Sequence, residues 1–165
     1  MALTPERIEL AQKNFSILIA MLEKKQLKYT IEENRQDFSH VCIRFTGNDL
    51  PMTLHLLVRA DRQLVSVFSP MPFLIDEAHR NEAAIAVTAA NHGLSNGSFD
   101  LNMQDGSIRF RLTTAFMETT LSPALFEYLL YVSADTIDRY NDRFMMLNNG
   151  EMDLQTFLSS EHKGC

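Results

Sequence analysis

Residues 80–111 read RNEAAIAVTAANHGL, then SNG, then SFDLNMQDGSIRFR. In outline this is a helix, a break, a strand, a turn and a strand. Asp105-Gly106 has the form of a two-residue type I′ hairpin turn, in which both central residues need positive φ. Folding about that turn sets Met103 against Ile108, Leu101 against Phe110 and Phe99 against Leu112, so one face is wholly apolar. The other face sets Asp100 against Arg111 and Asn102 beside Arg109, an opposite-charge arrangement that favours the same register. A slip of one residue would turn the apolar set to water, so this register is expected to be well specified.

The chain has 165 residues, 45% of them hydrophobic, with six glycines and five prolines. That composition argues against disorder and fits one domain able to bury about 70% of its unfolded surface. A formal net charge of −6 and a pI near 5.3 argue against a nucleic-acid binder, which needs a basic face against phosphate. Cys42 and Cys165 lie far apart and read as free thiols of a reducing compartment. No run reaches the ~18 apolar residues of a membrane span. Glu6 stands where a signal peptide would be cationic or apolar, so a cytoplasmic protein is expected.

Thr4-Pro5 opens a first helix with an N-cap and a first-turn proline. Its stripe is Ile8, Ala11, Phe15, Leu18, Ile19 and Leu22, and it fades in Glu23–Gln26. A weak strand over 28–33 is expected near a sheet edge. Residues 39–46 alternate, with Val41, Ile43 and Phe45 on one face and His40, Cys42 and Arg44 on the other. Gly47-Asn48-Asp49 turns the chain into a strand over 52–59 that carries Met52, Leu54, Leu56 and Val58 inward. A third run covers 63–69. With Ala60-Asp61 as its turn, Val65 faces Leu56, and Leu57, Leu64 and Phe68 are left together on the outer face. Such a cluster needs cover from another element or another chain. Ser69-Pro70-Met71-Pro72 should stop that strand, because proline donates nothing to a ladder.

Asp76 is the expected N-cap of a second helix ending at Asn91 or His92, closed by Gly93 in the left-handed conformation. Ala83, Ala84, Ala86, Ala89 and Ala90 flank Ile85 and Val87, and small residues on more than one side let the helix approach its neighbours closely. After the hairpin the strand runs on towards Ala115–Met117. Ser122-Pro123 then opens a long third helix with the stripe Phe126, Leu129, Leu130, Ser133, Ile137, Tyr140, Phe144 and Leu147. Asn149-Gly150 ends it. Leu154, Phe157 and Leu158 suit a last helical turn. The domain is expected to span 1–158, with a disordered tail over 159–165. The fold class is α+β, an antiparallel twisted sheet with helices packed on it, in the order α-β-β-β-β-α-β-β-α.

No GxGxxG, Walker A, GxSxG, HExxH or CxxC motif occurs. Strand pairing sets Cys42 opposite His55 with His40 diagonal to it, a minimum for a thiolate nucleophile or two metal ligands. Spacing supplies no further ligand, so ordinary cross-strand packing is the simpler reading. His79 and Glu82 read as a surface i,i+3 pair. His92 suits a helix C-terminus. Asp135, Asp138 and Asp142 read as a solvated face with Arg139 and Arg143. No catalytic residue, metal or cofactor is assigned.

RNEAA, Asn91, GSFDLNMQDGSIRFR and Leu121-Ser122-Pro123 together resemble the bacterial YbjN-domain proteins over roughly residues 4–158. The resemblance implies the fold of type III secretion chaperones, which are small, acidic and dimeric. It also implies a sensory or regulatory role, with no established functional residues to carry over. The expectation is a non-enzymatic interaction domain binding a protein or peptide partner, and a homodimer. Leu57, Leu64, Phe68, Ala83, Ala86, Val87 and Ala90 would supply the interface. A secretion chaperone is one alternative, and a ligand-binding or enzymatic domain using Cys42 and His55 is another.

Overall fold

The computed structural model describes residues 3–161. Thr4 caps α1 (Pro5–Lys24), its hydroxyl accepting from the Arg7 amide at 3.4 Å. β1 (Tyr29–Asn34), β2 (Phe38–Thr46), β3 (Pro51–Arg59) and β4 (Leu64–Leu74) follow, then a 3-10 turn at Glu77–His79 and α2 (Arg80–His92). β5 (Ser98–Leu101) and β6 (Ser107–Ala115) make the hairpin, and α3 (Pro123–Asn148) and α4 (Leu154–Glu161) complete the order. Ser122 caps α3 as expected, accepting from Leu125.

The strands form one open antiparallel sheet, ordered β1-β2-β3-β4-β6-β5. Burial alternates along each central strand. Val41, Ile43, Leu54, Leu56, Val58, Val65, Val67, Phe110 and Leu112 are buried in one cluster with the stripes of α1, α2 and α3. The helices therefore occupy one face, and the opposite parity forms an outer face with none of the described helices on it. One row of that face crosses all six strands: Thr30, Cys42, His55, Phe68, Arg111 and Ser98.

Several local expectations need correction. The hairpin pairs Phe99 with Phe110 and Leu101 with Ile108, two residues from the expected register. Only Gly106 of its loop has positive φ (77°), so the turn is longer than a type I′ pair, and Met103 falls in the loop, 46% exposed. A shift of two preserves parity, so the apolar face survives. The β3–β4 register moves likewise by two: Val65 faces Val58, and Leu57 faces Ser66.

Strand β4 continues through Pro70 and Pro72 to Leu74. Its pairing with β3 ends at Phe68, so beyond that residue β4 is an edge on the β3 side. A proline is tolerated there, and the β6 ladder absorbs it with an irregularity between Pro70 and Leu74.

Helix α2 starts at Arg80 after the 3-10 turn, and Asp76 makes no side-chain cap bond. Gly93 has φ −85°, and the positive φ lies at Gly97, where a β-carbon would come within 2.3 Å of the Phe110 ring.

Helix α4 reaches Glu161, three residues into the expected tail, because the Arg143 guanidinium pairs with Glu161 at 2.6 Å. Arg143 also stacks over Phe157, 4.3 Å from the ring centre. The remainder of that tail lies outside the described residues.

Candidate functional site

Strands β2 and β3 pair continuously from Phe38–Arg59 to Thr46–Pro51. That register puts Cys42 directly across from His55, and His40, two residues along the same face, diagonal to it. The side chains converge. His55 Nδ1 lies 2.9 Å from His40 Nε2 and 3.0 Å from Cys42 Sγ, and the thiol is 3.4 Å from His40 Nε2. The His55 ring stacks on Phe68 from β4 at a 4.6 Å centroid separation and 9° tilt, which fixes its plane. Three metal-competent atoms thus sit within 4.8 Å of one another on rigid strands.

The neighbour on the far side is β1, whose pairing slips between Ile31 and Glu33, leaving Glu32 as the unpaired residue of a bulge. Bulges re-aim side chains. The Glu32 carboxylate comes close enough to influence both members of the pair. Burial, and then the nearby Glu32 charge, push the Cys42 thiol up from its ordinary range. Burial pulls His55 down from its ordinary range, with the His40 ring adding to the effect and Glu32 acting against it.

These conditions oppose nucleophilic chemistry, which wants a lowered thiol pKa. Cys42 also lies mid-strand between two paired neighbours, Thr30 and His55, in strands whose backbone N–H groups serve the ladders. Two imidazoles beside a thiol suit a cation better than an acyl group.

Leu57, Leu64 and Phe68 are half-buried on the same outer face. Leu57 lies diagonal to both others across the β3–β4 ladder, one position along from His55. Ala83, Ala86, Val87 and Ala90 are elsewhere. They are 1%, 0%, 7% and 0% exposed, packed into the chain's own core, and so cannot meet a partner as expected. The outward side of α2 instead presents Ala84, Ile85 and Ala89, which line a groove with Leu158 of α4.

The acidic side of α3 gathers no site. Asp135 pairs with Arg139 at 3.3 Å, and Asp138 accepts from the Asn48 amide and side chain at 2.8 and 2.5 Å. Asp138 therefore anchors the β2–β3 turn, a role hidden from a reading of the helix alone. His79 and Glu82 approach to 3.7 Å at the surface. The position of His40 was foreshadowed by its parity with Cys42, whereas nothing in the sequence signals the bulge at Glu32.

A family model described as "Putative bacterial sensory transduction regulator", YbjN, matches residues 14–146. Among solved structures, the chain is similar to one titled "Crystal structure of YbjN, a putative transcription regulator from E. coli". The likeness has a TM-score of 0.54 at 12% identity, covering 74% of this chain and 84% of that one. No curated protein matches. No helix among the described residues is long and apolar enough to cross a membrane. With the family model spanning most of its length and the α+β fold in agreement, the chain belongs to the YbjN family.

Proposed function

We propose that this is a cytoplasmic, non-enzymatic regulatory domain that captures a protein partner on the open face of its sheet. The observation that carries the reading is the half-buried set Leu57, Leu64 and Phe68 on the outer face, which no described helix covers. Apolar side chains gathered on an exposed sheet face are a docking feature in this size of domain.

Two modes of capture are open to a sheet: addition of a strand to an edge, or burial of an apolar face. Both edges are blunted. β1 is short, carries Glu32 and Glu33 and is broken by its bulge. β5 has four residues, and Asn91 occupies the free backbone groups of Phe99. Face burial is the mode that remains, and a partner segment with an apolar stripe fits it. A homodimer could use the same face, and the secretion-chaperone variant of this reading would place an effector segment there.

The test compares tagged wild type with a Leu57→Asp/Phe68→Asp variant in capture from native lysate, alongside sedimentation of each purified chain. Circular dichroism first establishes that the variant folds. A partner held at near-stoichiometric yield by wild type and lost by the variant supports the reading. A partner retained equally by both, or none with wild type, counts against it.

A further inference from the structure

We propose that His40, Cys42 and His55 form a three-donor binding site for a divalent first-row transition-metal ion of the zinc class, with water in the fourth position. The proposal does not depend on a protein partner.

Geometry is the first ground. Tetrahedral zinc with Zn–N of about 2.0–2.1 Å and Zn–S of about 2.3 Å requires ligand–ligand edges of about 3.3–3.6 Å. The three observed edges are 2.9, 3.0 and 3.4 Å. Expansion by a few tenths of an ångström, through χ rotations on fixed strands, opens the triangle to hold an ion.

Donor chemistry is the second. One thiol and two imidazoles are borderline-to-soft ligands that favour zinc-like ions over magnesium or calcium. Each imidazole offers a ring nitrogen lone pair, and the thiol surrenders its proton on binding.

Support and access are the third. Phe68 holds the His55 ring flat, in the way outer groups orient metal-bound histidines. A cleft of about 250 Å³ lined by Lys28, Tyr29, Thr30, Cys42 and Arg44 leads to the thiol. Hydrogen bonding alone accounts for the cluster less well. Both His40 Nε2 and Cys42 Sγ address the single atom His55 Nδ1, whereas one cation would satisfy all three lone pairs.

The test titrates Co(II), then competing Zn(II), into the purified, reduced, metal-free full chain. The expected result is one equivalent of Co(II) giving a thiolate-to-metal charge-transfer band and the intense visible bands of four-coordinate cobalt, all bleached by zinc. Cys42→Ser should abolish the charge-transfer band while Cys165→Ser keeps it, which assigns the thiolate. His55→Gln should weaken binding by at least the order of ten- to a hundredfold expected for losing even a supporting partner. Zinc should also raise the melting temperature of wild type and leave that of Cys42→Ser unmoved. Absence of stoichiometric cobalt uptake by wild type would overturn the proposal, as would a charge-transfer band that survives Cys42→Ser and disappears in Cys165→Ser.

Discussion

Asn91 of α2 holds both free backbone groups of Phe99 in β5: its side-chain oxygen accepts from the Phe99 amide at 2.7 Å, and its side-chain nitrogen donates to the Phe99 carbonyl at 3.0 Å. One carboxamide thus takes the place of a seventh strand. It closes the sheet edge and locks α2 to the hairpin, and the Phe99 ring beneath it meets Phe110, Tyr140 and Phe144 edge-on.

Removing that carboxamide leaves a buried donor and acceptor without partners. Asn91→Ala is therefore expected to lower unfolding stability by about 2 kcal/mol, within the range for unsatisfied buried groups. Asn91→Asp keeps the bond from the Phe99 amide, loses the one to its carbonyl, and should fall between. Urea denaturation followed by circular dichroism measures both.

Two glycines with positive φ should respond differently to the same change. A β-carbon at Gly106 would lie 2.1 Å from the Ile75 carbonyl oxygen, and Ile75 N donates to Gly106 O at 2.8 Å. At Gly150 a β-carbon meets nothing within 4 Å. Gly150→Ala should cost about 1–2 kcal/mol, the backbone strain alone. Gly106→Ala should exceed about 3 kcal/mol, because rigid backbone must also move. Equal losses in thermal melts would contradict the close approach.

Tyr140 donates its hydroxyl proton to Glu161 at 2.6 Å. Burial, and then that bond, push its pKa from 10.0 up to about 12. A folded-state pKa above the unfolded one means the stabilisation is whole below pH 10 and is lost as pH rises to about 12. Wild type should therefore lose more stability across that interval than Tyr140→Phe, which has no proton to release there. Parallel melting curves at several alkaline pH values decide it.

Asp100 works in the acid range. The Arg111 guanidinium at 2.9 Å, joined by Arg109 at 3.3 Å, holds its carboxyl below the usual range against the effect of partial burial. A depressed pKa stabilises the fold above the ordinary carboxylate value and is lost as pH falls through the folded one. Asp100→Asn should cost about 0.5–1 kcal/mol near neutrality, reduced by salt. The gap from wild type should close below about pH 4 as the carboxylate takes up its proton.

The two layers of the fold were legible because they rest on periodicity. The stripes of α1 and α3, their Thr4-Pro5 and Ser122-Pro123 starts, and the parity of β2, β3 and β6 follow from apolar spacing and cap chemistry. Turn lengths were not legible. Ala60–Gln63 and Asn102–Gly106 each use more residues than the shortest turn their sequence allows, and Gln63 itself takes φ 52°. Both errors are therefore shifts of two, invisible to an alternation that repeats every two residues. The Cys42–His55 pairing was readable because the short β2–β3 turn fixes it. The role of Ala83, Ala86, Val87 and Ala90 was not, since small residues fit a partner's helix and the chain's own sheet equally well. Nor was Asn91, whose task appears only when β5 lies beside it.

The account turns on which face of the domain is its working surface. A photo-crosslinking residue placed at Leu57, and separately at Ile85 (50% exposed on the outward side of α2), compares the open sheet face with the helical face inside the cell. The account predicts a discrete crosslinked species from Leu57 and none from Ile85. Crosslinking from Ile85 with none from Leu57 would move the interaction surface to the α2–α4 groove and contradict it.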